Sequence, residues 1–252
     1  MSTEILNKEI PKITLSIIIR SIIFNCFFYA YFTFFIILVL FPLSLFKSPK
    51  PLRRGLIILI EVTLYMFDKI ANIKIEERGV ENIPKDRGFI YCSKHMSNID
   101  AYFLFHRSPN LTAMAKKELY RIPFVSSVLN KMGVLAINRG AGEAQKQTPT
   151  FAKILLERKI PMIIFAEGTR INVGERKPLK SGTFYYQDTS GLDIIAVSHN
   201  SGVFWQKKSW IKLPGTLIVE YHPPMPKGLG KEEFMKELEL RVLDRSDELM
   251  LL

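Results

Sequence analysis

From residue 21 to residue 46 the chain runs about 26 residues without a charged side chain, most of them Phe, Ile and Leu. About 20 apolar residues in helical form are enough to cross the hydrocarbon of a bilayer, so this stretch predicts a membrane-embedded helix and a fold built beside a lipid surface. Lys8, Lys12 and Arg20 precede it as the basic region of a signal peptide would. The apolar run is nevertheless too long for a signal peptide and lacks a small-residue cleavage site, so it reads as a retained anchor. Lys47, Lys50, Arg53 and Arg54 follow it. Basic flanks prefer the cytoplasmic side, and a single span satisfies only one of these two. A hairpin or re-entrant helix satisfies both, with the apolar residues 56–60 and 65–67 as its second arm after Pro49 and Pro51. Both topologies stand at this point. The expected organisation is an anchor over residues 1–69, with an apolar helix at 15–46 and a second at 52–69, followed by a globular domain over 70–252.

The formal charge of +11 points to an anionic partner: phospholipid head groups, a phosphorylated substrate or nucleic acid. The apolar stretch favours the first, and nucleic acid is not expected. Cys26 and Cys92 show no paired spacing, and His95, His106, His199 and His222 show no metal-ligand spacing, so neither a disulfide nor a metal is expected.

Beyond the anchor, short apolar runs at 73–76, 89–92, 111–115, 134–137, 162–166, 194–198 and 216–221 alternate with helical patterns at 100–107, 145–158 and 231–251. This alternation predicts an α/β fold, a mostly parallel sheet of about seven strands covered by helices. In the terminal segment Phe234, Leu238 and Val242 recur four apart, the pattern of a helix packed on a core.

His95 and Asp100 offer a general base and a carboxylate to orient it. Five residues of helix turn through roughly 140°, so the pair cannot share a face within one helix and needs a bend between its members. Ser97 as N-cap, with Asp100 at the third helical position, would supply the bend and leave His95 on the loop before the helix. A second block, Glu167-Gly168-Thr169-Arg170, follows the apolar run at 162–166 directly.

Taken together, H-x-x-x-x-D at His95 and Asp100 and E-G-T-R at 167–170 resemble the glycerolipid acyltransferase family typified by lysophosphatidic acid acyltransferases. Lys116 after one strand, and the block Gly133 to Arg139, are similar to the family's intervening blocks. The resemblance covers residues 70–225. It departs from the family pattern at Asn138, Ala136 and Ala196, which bears on the shape of the acceptor pocket. Lys180-Ser181-Gly182 resembles the family's K-x-G and receives no chemical role.

The resemblance implies transfer of a fatty acyl group from an acyl carrier protein or coenzyme A thioester to the sn-2 hydroxyl of lysophosphatidic acid, giving phosphatidic acid, with no further cofactor. His95 is then the general base and Asp100 its orienting group. Lys116, Arg139 and Arg170 suit the phosphate of the acceptor. Glu167 would orient Arg170 or bind a substrate hydroxyl, Gly168 would allow close backbone approach, and Thr169 would donate a hydrogen bond. His95, Lys116, Arg139 and the 167–170 loop each follow the carboxyl end of a different strand, the edge where ligands bind in parallel α/β sheets. His199 reads as a packing histidine and Lys117 as a surface residue. The run 47–54, and Lys207 and Lys208 beside Trp205 and Trp210, suit docking on an anionic membrane, and buried tryptophans fit the same pattern. The expected location is the bacterial inner membrane with the site on its cytoplasmic face. Two other readings remain: the same chemistry on another lysolipid such as a lyso-ornithine lipid, and a non-catalytic membrane-tethered binder of anionic lipid.

Overall fold

The computed structural model describes residues 13–137 and 143–252. Helix α1 (Leu15–Leu45) opens at Thr14, whose hydroxyl accepts the Ile17 N–H, and contains one π-helical turn, Ile36–Leu40. It is the one helix among the described residues long and apolar enough to cross a membrane. Pro49 and Pro51 then start α2 (Lys50–Met66), which runs on through a π-helical turn, Phe67–Ala71. The two helices thus lie within a few residues of the expected 15–46 and 52–69.

The two helices fold back on each other as an antiparallel hairpin. At one end Leu40, Leu52 and Leu59 share an apolar cluster, and Gly55 leaves room for the side chains of Leu40 and Leu43. At the other end Phe24 meets Phe67 edge-on, with ring centroids 5.0 Å apart. Both ends of α1 also touch the globular part. Near its start Phe24 and Phe28 pack on Trp205, and Ser21 and Asn25 bond the backbone of Lys212 and Trp210. Near its end Phe41 meets Phe124, while Ser127 and Lys131 both donate to the Ser44 carbonyl.

The globular part follows the order β1 (Ile73–Arg78), β2 (Phe89–Ser93), α3 (Asp100–Arg107), β3 (Met114–Lys116), α4 (Pro123–Met132), β4 (Leu135–Ile137), α5 (Glu143–Arg158), β5 (Pro161–Phe165), α6 (Gly182–Ser190), β6 (Asp193–His199), α7 (Ser201–Phe204), β7 (Gly215–Tyr221), α8 (Lys231–Glu239) and α9 (Arg245–Leu251). Among the described residues seven strands form, as expected, but in two sheets. Five take the order β1-β7-β6-β2-β5, parallel except where β6 meets β7, and β3 pairs with β4 alone in parallel. A single parallel bridge, Thr112 to Met162, joins the small sheet to β5. The strand expected at 111–115 begins only at Met114, because Thr112 commits its N–H and C=O to Pro161 and Ile163 of β5.

Strands β2 and β6 are buried along their whole length, as near-continuous apolar runs require when helices cover both faces. Alternation on β2 divides the core. Phe89 and Tyr91 face the cluster shared with the hairpin and α3, and Ile90 and Cys92 face the cluster shared with α5, α6 and α8. Phe234, Leu238 and Val242 are buried, so the terminal helix is core as its spacing indicated. Trp205 is buried against the hairpin, whereas Trp210 is half exposed.

The approach of α5 to the start of β2 depends on Gly88. A Cβ there would stand 2.3 Å from the Leu155 carbonyl oxygen, a backbone atom that cannot turn aside. Overpacking of this kind costs about 1–3 kcal/mol. Gly88→Ala should therefore lower the thermal unfolding midpoint by about 3–10 °C, measured by scanning fluorimetry, while Gly182→Ala, which meets only open space, should not.

Candidate active site

The parallel pairing of β2 with β5 places Ser93 beside Phe165 and Val197 of β6 beside Ser93 on the other side. Chain leaving the carboxyl ends of β2 and β5 therefore meets, and the meeting point is His95. The loop after β5 holds this residue on three sides. Its backbone N–H donates to Glu167 Oε2 at 2.7 Å, its carbonyl accepts the Ile171 N–H at 2.9 Å, and its imidazole stacks on the Phe165 ring with centroids 3.8 Å apart.

Asp100 opens α3, where a carboxylate suits the helix dipole. It reaches back toward the turn. Oδ2 receives His95 Nδ1 at 2.9 Å and the N–H groups of Met96 and Ser97 at 2.7 and 2.8 Å, and Oδ1 receives the Ser201 hydroxyl at 2.5 Å. Ser97 is thus not the cap that its position predicts. The helix begins after Ile99, and Ser97 Oγ is 3.4 Å from the Ile99 N–H, because the doubly accepting carboxylate supplies the acceptor for the turn instead. Burial works to raise the Asp100 pKa, and His199, His95 and Ser201 together more than offset it, so the carboxyl stays below its ordinary value. An ionised carboxylate only accepts, so Nδ1 of His95 carries the proton and Nε2 is left as the basic nitrogen. The Asp100 side chain is fully buried, whereas that of His95 is 22% exposed.

Glu167 corrects the expectation that it orients Arg170 or binds a substrate hydroxyl. It is completely buried and bonded to the His95 backbone, and Oε1 is buried without a hydrogen-bond partner. A carboxylate two residues past a strand end folds inward here, under the turn. Burial pushes its pKa up to about 7. Arg170 instead donates to the Asn98 side-chain oxygen, and its carbonyl accepts Lys207 Nζ at 2.6 Å. Gly168 has φ +74°, and Lys180 lies so close over it that a Cβ would come within 2.5 Å of the ammonium. Thr169 is exposed. Lys116 is exposed at the carboxyl end of β3, level with the start of the 166–171 loop when the register is counted from the Thr112–Met162 bridge. Arg139 lies outside the described residues.

Below the turn sits a buried ionic cluster absent from the sequence reading. Lys94, 1% exposed, meets Asp247 of α9 at 2.6 Å, and Arg176 bonds both Asp247 and Asp244. His199 donates from Nε2 to the Lys94 carbonyl at 2.9 Å, and burial depresses its pKa, so it is a neutral support for the turn. A lysine inside an apolar strand exit was the one available signal for this cluster, and Ser201 carried none. Among the described residues no group of three His, Cys, Asp or Glu side chains is placed to hold a metal.

Residues 74–200, just over half of the chain, match the family model described as Acyltransferase. The chain is 34% identical over 157 residues to the 1-acyl-sn-glycerol-3-phosphate acyltransferase of Pseudomonas aeruginosa, covering 62% of this chain and 61% of that protein. It is 30% identical over 156 residues to the protein of the same name from Borreliella burgdorferi, covering 61% of this chain and 62% of the other. The chain thus spans about three fifths of the length of these curated relatives. Its fold matches the crystal structure of the 1-acyl-sn-glycerophosphate (LPA) acyltransferase PlsC from Thermotoga maritima with a TM-score of 0.70 at 25% identity, over 92% of this chain and 97% of that one.

The raised pKa of Glu167 sets a sign for stability. Ionising this buried carboxyl costs the folded state nothing below about pH 4.5, increasingly more up to about pH 7, and a constant amount of about 3 kcal/mol above. Glu167→Gln keeps an acceptor for the His95 N–H and cannot ionise. Its thermal midpoint, compared with the parent's, should rise by several degrees between pH 4.5 and 7 and level off above; a difference independent of pH would contradict this account.

Proposed function

The chain belongs to the Acyltransferase family, and from that premise we propose that it moves a fatty acyl group from an acyl carrier protein or coenzyme A thioester to the free hydroxyl of lysophosphatidic acid, forming phosphatidic acid. The observation that carries the reading is the geometry of His95: Nδ1 is committed to a carboxylate that three further donors fix, and Nε2 is left as the basic nitrogen of a partly exposed side chain.

An alcohol is a poor nucleophile at neutral pH, so its proton must leave as attack proceeds. The acceptor hydroxyl gives its proton to His95 Nε2 while its oxygen bonds to the thioester carbonyl carbon. The tetrahedral oxyanion collapses, the C–S bond breaks, and the imidazolium returns the proton to the departing thiolate. Asp100 stabilises the imidazolium meanwhile and fixes the tautomer, as the carboxylate of a serine-protease triad does. The substrate hydroxyl takes the place of the serine, so no acyl-enzyme is needed.

Arg170, with Lys116 and Arg139, remains the proposed phosphate-binding set, and Lys180 joins it because its ammonium covers Gly168 beside the base. Gly168 and Thr169 line the approach. Glu167 acts on the base through its backbone. No metal or bound cofactor enters this scheme.

The hairpin supports attachment to one face of a membrane. Helix α1 touches the globular part near both ends, at Ser21 and Phe24 and again at Phe41 and Ser44, about 35 Å apart along its axis. A transverse span would put α4 and the 205–213 loop at opposite faces and force the globular part that joins them through the hydrocarbon. Exposed apolar residues such as Ile19, Phe27, Phe34 and Leu38 then face lipid, and Lys207, Lys208 and Trp210 lie at the head groups. With basic flanks at both ends of α1, the expected face is the cytoplasmic one of a bacterial inner membrane.

Purified protein in liposomes, offered both thioesters and a panel of lysolipids, tests the reading. Phosphatidic acid should form, and His95→Ala and Asp100→Asn should each lower kcat by about a hundred- to ten-thousandfold while both proteins still sediment with the liposomes. Transfer only to another lysolipid, such as a lyso-ornithine lipid, would retain the base and overturn the phosphate assignments. Lipid binding without transfer would favour the non-catalytic reading.

A further inference from the structure

The aromatic partner of His95 lies where it meets any positive charge that the imidazole acquires. Phe165 and His95 lie with centroids 3.8 Å apart and planes only 14° from parallel, the shortest ring separation among the described residues. Two neutral aromatic rings prefer offset-stacked or edge-on contacts to a perfect sandwich. His199, which burial keeps neutral, meets Phe103 edge-on in this way, at 5.3 Å and 65°. A cation over an aromatic face is attracted to it. The near-parallel stack at His95 therefore lays the imidazole over a π-face that attracts it more strongly once it is protonated. Only an interaction stronger in the transition state than in the ground state accelerates a reaction.

The contact is fixed by the fold. Ser93 and Phe165 are neighbours in the β2–β5 register, so the chain that continues past Ser93 must cross the Phe165 side chain. The Glu167 and Ile171 bonds to the His95 backbone then leave the imidazole little choice of plane.

We propose that Phe165 is a positioning residue of the reaction, whose π-face stabilises the positive charge that His95 acquires on taking the acceptor's proton and keeps Nε2 turned toward the substrate. This rests on the reading of His95 as the general base. Phe165 exchanges no atom or electron: the proton comes from the hydroxyl and leaves on the thiol. The other groups that bear on the imidazole charge are Asp100 from α3, Glu167 from the loop after β5, His199 from β6 and the neighbouring Lys94.

Fluorinated phenylalanines at position 165, from monofluoro to pentafluoro, weaken and then reverse the ring's quadrupole at nearly constant shape while leaving those groups in place. Across the series kcat should fall progressively, by about three- to thirtyfold at the pentafluoro end, with KM within about twofold. The acid limb of the pH profile should move down by about half a unit or more, because the protonated ring loses support. Phe165→Tyr, which keeps the π-face, should stay near the parent and Phe165→Leu should resemble the pentafluoro variant. NMR titration of the His95 imidazole, assigned with His95→Ala, reads the same interaction without turnover, so it decides the proposal even if the chain transfers no acyl group. A titration midpoint that does not move across the series would overturn the role of Phe165 and leave the acyltransferase reading intact.

Discussion

The placement of one imidazole depends on two neighbouring strands running parallel and in register. Because Ser93 of β2 lies beside Phe165 of β5, the loops that leave both strands emerge at one edge, and the second loop closes around the first. Glu167 takes the His95 N–H, Ile171 donates to its carbonyl, and Phe165 lies under its ring. The block 165–171 is thus the holder of the His95 side chain and backbone. Asp100 completes the arrangement from the helix that follows, with three hydrogen bonds spent inside the turn and a fourth accepted from Ser201.

Holding a partly exposed base this firmly requires charge beneath it. Lys94 and Asp247 are buried together, with Arg176 completing the set, and Glu167 is buried with one oxygen lacking a partner. Buried ion pairs seldom add net stability, since desolvation takes back most of the attraction, but breaking one by removing a partner is costly. Their consequence here is geometric. They tie α9 and the 171–176 segment to the residue preceding His95, so the C-terminal helix belongs to the structure of the site although its sequence shows only an amphipathic core helix.

Much of this was legible in the sequence. Periodicity located all seven strands and the helix at 100–107, because buried parallel strands are short, nearly continuous apolar runs and surface helices alternate with them. The convergence of His95 and the 167–170 loop followed from both lying just past the carboxyl ends of strands in a parallel sheet. What pattern could not supply was the direction of side chains after strand ends. Glu167 turns inward and Arg170 outward, and nothing in E-G-T-R distinguishes them. Ser97 looked like a cap because its type and spacing fit, yet the nearby carboxylate accepts the N–H groups of Met96 and Ser97 more effectively than a hydroxyl can. Ser201 and Asp247 come from segments 100 or more residues away from the turn they support, and local sequence carries no record of such contacts. The division of the strands into sheets of five and two, and the antiparallel pairing of β6 with β7, were likewise beyond reach, since run lengths do not encode which edges pair.

Under the proposed function the hairpin and the base would belong to one design, in which an acyl chain stays near lipid while its thioester meets a hydroxyl held beside His95. The central chemical claim is direct transfer, with the substrate hydroxyl as nucleophile and the protein never acylated. Intact-protein mass spectrometry after rapid quench, with acyl thioester present and acceptor withheld, tests it most directly. The account predicts an unmodified protein mass and an unconsumed thioester until lysolipid is added; a transient adduct of one acyl chain, mapped to His95 or any other side chain, would contradict it.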